Sequence, residues 1–179
     1  MAATTELLTV DAFRKLPEAR GEFYYELRHG EMVKVTRPRL RHLVVQRTLR
    51  QMLEGVAPAG SLVELELAFR PLPEHELRVA DVAYVPPERW RNVDLDDYFQ
   101  GTPDLVIEVL PPSHTAAELN EKEKLCLETG AREFWVVDPE LRQVRVSTPD
   151  GHSMTWRAGQ ELPLPLLGGA RIQVDAIFV

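Results

Sequence analysis

The sequence feature that most constrains the fold is a short apolar segment with a single acid inside it. Residues 104–110 read Asp-Leu-Val-Ile-Glu-Val-Leu, a nearly continuous apolar run. A run of this kind, without alternation of polar and apolar residues, is typical of a strand that is covered on both faces. The segment therefore predicts a central strand in a sheet flanked by helices.

A strand–helix–strand unit begins with this segment. A helical pattern covers residues 115–129 and ends before Gly130, and residues 133–138 then read as a second buried strand. A helix that joins two strands in this way predicts a parallel pair, and such crossovers are right-handed in nearly all proteins.

The rest of the chain predicts antiparallel strands and two further helices. The pattern of residues 62–69 alternates strictly between two sets of positions, as expected of a strand. The other predicted elements are helices over 10–16 and 40–53, a hairpin of 23–27 and 32–35, strands over 77–85 and 144–146, a hairpin turn at 150–151 and a short apolar C-terminal segment over 172–179. The pattern as a whole predicts a mixed α/β fold.

The composition excludes several classes of protein. With 179 residues the chain has the size of one domain, which we place at residues 1–179. The single cysteine, Cys126, rules out an internal disulfide framework and a multi-cysteine metal site, and a lone thiol fits a reducing cytoplasm. No apolar run approaches the roughly 20 residues of a membrane span, and the N-terminal residues do not resemble a secretory signal. We therefore expect a cytoplasmic protein with no membrane partner.

The charge is unevenly distributed along the chain. The net charge is −7, from 28 acids and 21 bases, which argues against a nucleic-acid binder that ignores sequence. Residues 32–53, however, contain no acid, and their six bases are Lys34, Arg37, Arg39, Arg41, Arg47 and Arg50. This basic segment indicates a local surface that faces an anion. The alternative is a solvated helix face whose charges pair with neighbouring acids.

Two acids lie inside predicted strands. Glu108 stands between Ile107 and Val109, and Asp81 has apolar neighbours in the strand predicted over 77–85. A buried carboxylate is costly unless it is paired or binds a metal, and aspartate is a poor strand former. Both acids are therefore candidate site residues. The alternatives are a strand-end charge that reaches an arginine for Glu108, and a turn or bulge for Asp81.

Lys122 is a third candidate. On the predicted helix it lies near the middle of the apolar face, whereas Lys124 points nearly the opposite way. A lysine directed at a sheet that carries two carboxylates indicates a site. The alternative is a side chain that extends along the edge of the helix into water.

These three residues together predict a particular chemistry. Carboxylate oxygens with open coordination positions suit Mg²⁺ or Mn²⁺. Such an ion polarises a phosphoryl oxygen and lowers the pKa of an attacking water. A lysine can orient that water or offset the charge that builds on the phosphate, and a basic helix nearby would hold a nucleic-acid backbone. The set therefore predicts hydrolysis of a phosphodiester.

The sequence resembles the Uma-type family of restriction-endonuclease-like proteins, within the PD-(D/E)XK nuclease superfamily. The similarity covers residues 9–179 and depends on the order and spacing of several landmarks. They are Tyr25-Glu26-Leu27, Gly30-Glu31, Arg41-His42, Asp81-Val82-Ala83, residues 103–110, Lys122, Gly130 and residues 133–139.

The resemblance implies a role for each matching residue. Asp81 and Glu108 would be the metal-binding carboxylates, with the main-chain carbonyl of Val109 as a further ligand. Glu26 matches an N-terminal acid that often completes the metal site, and His42 matches a polar residue near the cleft.

The resemblance also implies the place of the lysine. In the superfamily it normally stands two residues after the glutamate, where this chain has Leu110. Family members move it to the next helix, and Lys122 matches that place. A second departure is Ala80, which replaces the proline before the aspartate of the motif and affects only the local backbone.

We therefore expect an α/β, restriction-endonuclease-like core with a central mixed sheet flanked by helices. The expected function is metal-dependent hydrolysis of nucleic acid, with DNA as the favoured substrate and the bases between Lys34 and Arg50 as its contact surface. A homodimer would suit cleavage of both strands. One alternative is a catalytically silent module that binds nucleic acid or protein; another is a glycosidase with paired carboxylates and no metal, in which the lysine has no evident role.

Overall fold

A computed structural model describes residues 7–17, 19, 21–110 and 116–178 of the chain. Its α-helices are α1 (Val10–Phe13), α2 (Leu40–Glu54), α3 (Pro87–Trp90) and α4 (Ala116–Glu128). Its strands are β1 (Phe23–Arg28), β2 (Glu31–Thr36), β3 (Leu62–Arg70), β4 (Arg78–Val85), β5 (Phe99–Gln100), β6 (Leu105–Val109), β7 (Glu133–Asp138), β8 (Gln143–Ser147), β9 (Ser153–Arg157), β10 (Glu161–Leu164) and β11 (Ala170–Gln173). Two short 3₁₀ helices cover Pro165–Leu167 and Val174–Ile177.

The central sheet is mixed and has seven strands, in the order β5-β3-β4-β6-β7-β8-β9. Strands β6 and β7 run parallel, with α4 as the connection between them, and β5 runs parallel to β3. The other neighbouring pairs are antiparallel. The predicted α/β class and its central mixed sheet are confirmed.

The two faces of the sheet carry separate cores. Val45, Leu49 and Leu53 of α2 pack on one face, together with side chains of β10, β11 and both 3₁₀ helices. Leu119 and Cys126 of α4 pack on the other face. Strand β6 contributes to both cores and is buried at all five positions, as predicted from its apolar sequence.

Two small sheets complete the described part of the chain. Strands β1 and β2 form the predicted hairpin, which joins the core through a bridge between Leu27 and Leu77. Strands β10 and β11 form a second antiparallel pair. Among the described residues, no helix has the length and apolar character to cross a membrane.

Several element boundaries differ from the prediction. Helix α1 ends at Phe13 rather than Leu16, because a turn precedes Pro17 and a proline disfavours helical geometry in the residue before it. Strand β4 begins at Arg78, since Leu77 pairs with the hairpin instead. The predicted start of the crossover helix at Thr115 lies outside the described residues, as does Val179.

The strict alternation predicted for strand β3 is wrong at one point. Val63 and Leu65 pack in the core beneath α2, whereas Leu67 and Phe69 pack in the core on the α4 side. Glu66 lies between these pairs with φ +51°, in the left-handed region that residues other than glycine seldom adopt. Because of the backbone conformation at Glu66, the odd-numbered side chains of β3 point to one face of the sheet before this residue and to the other face after it.

Candidate active site

Three acids lie level with one another on adjacent strands of the central sheet. The register of β3 and β4 places Glu66 opposite Asp81, between the pairs Leu65–Val82 and Leu67–Ala80. The pairing of β4 with β6 ends at Val82 and Ile107, one step before Asp81 would face Glu108. The pairing of β4 with β6 therefore ends next to Asp81 and Glu108.

A cleft opens at this place, and several elements contribute to it. Strand β1 lines it with Tyr24, Glu26 and Arg28, which alternate along one face of the hairpin. The sheet contributes Asp81, Glu108 and Val109, and the helices α2 and α4 contribute His42 and Lys122. The structure therefore brings together Asp81, Glu108, Val109, Glu26, His42 and Lys122, which the sequence had singled out.

Asp81 is held on both carboxylate oxygens. Its Oδ2 accepts a 2.7 Å hydrogen bond from the main-chain N–H of Val109 and lies 3.0 Å from Nε2 of His42. Its Oδ1 accepts a 2.9 Å hydrogen bond from Nε2 of Gln46. Burial opposes a charge on His42, but the Asp81 carboxylate outweighs that effect and raises the pKa of His42. Helix α2 and strand β6 together fix this carboxylate.

Glu108 and Lys122 form a buried ion pair, with Oε1 and Nζ 2.8 Å apart. Burial raises the pKa of Glu108, against the opposing effect of the Lys122 ammonium. Burial also disfavours the charge on Lys122, but the carboxylates of Glu108, Glu26 and Asp81 outweigh it and raise the pKa of Lys122. The Lys122 ammonium also donates a 2.7 Å hydrogen bond to the carbonyl of Val79. Lys122 therefore stays protonated.

Glu26 lies at the edge of the same group. Its Oε1 accepts a 3.0 Å hydrogen bond from the N–H of Val79, and its Oε2 lies 2.9 Å from an Arg28 nitrogen. Lys122 Nζ is 3.8 Å from Oε1. Burial would raise the pKa of Glu26, but Lys122 and Arg28 outweigh it and lower that pKa. Both oxygens of this ionised carboxylate are engaged, as are those of Asp81, and the service of either acid as a metal ligand stays a prediction.

The donor set suits a magnesium-like ion held by few protein groups. Among the described residues, no three His, Cys, Asp or Glu side chains are placed to hold a metal together. Mg²⁺, however, keeps several waters and is commonly bound through one or two carboxylates. Asp81 and Glu108 supply two such carboxylates in one cleft, next to the main chain of Val109. Together with water, these hard oxygen donors fit Mg²⁺ or Mn²⁺.

The basic residues of the acid-free segment divide into three groups. In the part of the chain that the structure describes, Arg39, Arg41 and Arg47 are exposed and form no ion pair. Arg50, at the far end of α2, pairs instead with Glu54 and Glu64 at 2.9 and 3.1 Å.

Lys34 and Arg37 lie at the β1–β2 hairpin instead. Lys34 Nζ lies 4.1 Å from the centre of the Phe23 ring, and Arg37 packs over Tyr24. The accessible positive charge of this segment therefore lies at the hairpin and along the exposed side of α2.

Sequence reasoning missed Tyr24, Arg28, Gln46 and Glu66 at the site. Gln46 follows His42 by one helical turn and lies beside the buried Leu49, so a polar residue on the apolar stripe was the available signal. Tyr24 precedes Glu26 by two positions, which places both on one face of a strand. Glu66 gave no signal, because an acid in an alternating strand is typical of a solvated face.

Comparisons with known proteins agree with this architecture. The model of the Uma2 family, described as "Putative restriction endonuclease", matches residues 10–175. The chain is also similar to the crystal structure of a putative nuclease belonging to DUF820 from Anabaena variabilis, with a TM-score of 0.81 and 21% sequence identity. That match covers 96% of this chain and 97% of the other, and it shows a shared fold. A comparison with curated proteins found no match.

The family match spans nearly the whole chain, including β1, the central strands and α4, and so it covers every residue of the cleft. The resemblance seen in the sequence is thus confirmed, and the chain belongs to the Uma2 family of restriction-endonuclease-like proteins.

Proposed function

We propose that this protein is a nuclease that uses Mg²⁺ or Mn²⁺ to hydrolyse phosphodiester bonds, with DNA as its preferred substrate. The observation that carries the proposal is the group formed by Asp81, Glu108 and Lys122. Two carboxylates from adjacent strands stand where the strands separate, and an ammonium from the next helix lies 2.8 Å from one of them. The preference for DNA is supported by the description of the family as restriction endonucleases.

Each group has a role that follows from its chemistry. Asp81 and Glu108 would hold the cation, with the Val109 carbonyl as a further oxygen. When bound, such an ion acts as a Lewis acid on a phosphoryl oxygen and lowers the pKa of a water. Lys122 remains protonated, so it donates hydrogen bonds to the attacking water or to the phosphate rather than removing a proton.

The exposed arginines support a nucleic-acid substrate. Helix α2 carries His42 into the cleft, and Arg41 and Arg47 are exposed on the same helix. Its first turn contains no acid, so the positive end of the helix dipole adds to these charges. Phosphates that contact these arginines would hold the nucleic-acid backbone on the helix that contributes His42 to the cleft.

The proposal is tested by incubating the protein with supercoiled plasmid, linear duplex DNA and RNA, in Mg²⁺, in Mn²⁺ and in EDTA. We expect cleavage of DNA with either metal, none in EDTA, and none by Glu108→Gln. Glu128→Gln is the matched control, since Glu128 is exposed on α4 and lies away from the cleft. Cleavage that persists in EDTA or in Glu108→Gln would contradict the proposal. Binding of DNA without cleavage under any condition would favour the catalytically silent module.

A further inference from the structure

We propose that Glu66 is a positioning residue for the metal ligand Asp81 and acts on it through the side chain of Gln46. This inference rests on the proposed function, since it concerns the same cleft. Gln46 is fully buried, and its Nε2 donates hydrogen bonds to Glu66 Oε1 at 2.7 Å and to Asp81 Oδ1 at 2.9 Å. One amide group thus joins two acids on adjacent strands.

Glu66 determines which way the Gln46 amide faces. With a carboxylate on each side, only the NH₂ group can point toward the acids, because the amide oxygen would be repelled by both. Within the described part of the chain, Gln46 Oε1 is buried and has no hydrogen-bond partner. The two acids therefore fix the orientation of the amide, although its oxygen accepts no hydrogen bond in that orientation. Removing the Glu66 acceptor would let the amide rotate and release Asp81 Oδ1.

The backbone at Glu66 has the conformation that this contact requires. A regular strand would place its side chain by simple alternation, with Val63 and Leu65 on one side and Glu66 on the other. At φ +51° the chain departs from that pattern, and Leu67 and Phe69 change faces. Strain of this kind persists where the surroundings impose it, and it is frequent at functional sites. Here the strained residue, Glu66, lies directly opposite Asp81 in the pairing of β3 with β4.

The arrangement also has an electrostatic cost. Like charges directly opposite each other on neighbouring strands destabilise a sheet. Glu66 faces Asp81, and Glu108 stands in the next strand of the same row. A neutral side chain at position 66 would remove part of this repulsion. The hydrogen bond from Gln46 accounts for an acceptor oxygen at this position in spite of that cost.

The test measures Mn²⁺ affinity by calorimetry in Glu66→Leu, Glu66→Gln and Gln46→Met. Outer-sphere partners of metal ligands typically contribute about 10- to 100-fold in affinity, so Glu66→Leu and Gln46→Met should each lose about 10-fold or more. Glu66→Gln keeps an oxygen that can accept from Gln46 and should stay close to wild type. The matched control is Gln51→Met, the same substitution at an exposed position of α2, which should leave the affinity unchanged.

Two results would overturn the proposal. One is wild-type Mn²⁺ affinity in Glu66→Leu. The other is an equal loss in Glu66→Gln and Glu66→Leu, which would assign the effect to charge rather than to the hydrogen bond. If Glu66→Leu does not fold, Glu66→Gly replaces it, because glycine adopts a positive φ without strain. Glu66→Gly should fold and show the same loss of affinity.

A readout without metal separates this proposal from the proposed function. The side-chain NH₂ signals of Gln46 are identified in an NMR spectrum by their loss in Gln46→Met. They should shift in both Glu66→Leu and Asp81→Asn. If these shifts occur but the wild type binds no Mn²⁺, the coupling between Glu66 and Asp81 stands and the proposed metal site fails. If the Gln46 signals do not respond to Glu66→Leu, the positioning role of Glu66 is wrong.

Discussion

Lys122 Nζ lies 2.8 Å from Glu108 Oε1, although the lysine comes from helix α4 and the glutamate from strand β6. The apolar Leu110 occupies the position two residues after the glutamate, so the strand itself supplies no ammonium. The helix that follows supplies it instead, from a buried position on its inner face. This contact links the core of the crossover to the chemistry proposed for the cleft.

Replacing Lys122 with alanine should abolish cleavage and leave Mn²⁺ affinity nearly intact, because the lysine orients water or phosphate and does not bind the ion. DNA cleavage and calorimetry on the same preparations check both parts. The matched control is Lys124→Ala, since Lys124 is two residues away and its side chain is 74% exposed. Unchanged cleavage by Lys122→Ala would remove this residue from the mechanism.

Reversing the charge of Arg47 should weaken DNA binding and flatten its dependence on salt. Each phosphate contact that is lost lowers the slope of log K against log salt by about 0.9. Arg50→Glu is the comparison on the same helix, and it should change the slope less, because Glu54 and Glu64 already neutralise Arg50. Fluorescence anisotropy over a range of salt concentrations measures both slopes. A larger effect at Arg50 than at Arg47 would move the binding surface elsewhere.

The buried face of helix α2 should contribute to stability, whereas its exposed face should not. Leu49 is fully buried beneath the sheet, and its truncation to alanine should cost about 2–5 kcal/mol of stability. Val44 is 40% exposed on the same helix, so Val44→Ala should change stability by no more than about 0.5 kcal/mol. Urea denaturation measures both free energies of unfolding. Equal losses in the two variants would contradict the placement of the core.

The ion pair of Glu123 and Arg145 should make stability depend on acid pH. Burial would raise the pKa of Glu123, but hydrogen bonds from Arg145 outweigh it and lower that pKa below its usual 4.5. A carboxylate with a lowered pKa in the folded state contributes stability above pH 4.5, and the contribution is lost as the pH falls through the folded pKa.

Thermal unfolding of Glu123→Gln should therefore begin at a lower temperature than that of the wild type at pH 7, and the difference should shrink as the pH falls below 4.5. Glu128→Gln, at an exposed position of the same helix, should match the wild type throughout. A difference that grows toward acid pH would contradict the sign of this shift.

Residues whose chemistry conflicts with their surroundings were the ones that could be predicted from the sequence. Glu108 and Asp81 interrupt apolar strands, and Lys122 interrupts an apolar helix face, so each needed a partner. The structure places all three in one cleft. Their order in a strand–helix unit also predicted the parallel pair of β6 and β7, because only a crossover can join them.

The contacts of Glu66 and Arg50 could not be predicted from the residues near them in the sequence. In the sequence, Glu66 matches a solvent-facing position of an alternating strand. In the structure, the backbone at Glu66 has φ +51°, and the side chain accepts a hydrogen bond from Gln46. Arg50 belonged to an acid-free segment, but folding places Glu64 of β3 within 3.1 Å of it. Both outcomes depend on contacts between elements that are distant in sequence.

Asp81 and Glu108 should form a metal site. Mn²⁺ calorimetry on the wild type beside Asp81→Asn tests this most directly, since it needs no assumption about the substrate. Asp96→Asn, at an exposed loop position, is the control for the same substitution. We predict binding by the wild type and by Asp96→Asn, and none by Asp81→Asn. Binding of equal strength by Asp81→Asn, or none by the wild type even with a nuclease-resistant phosphodiester present, would contradict the account.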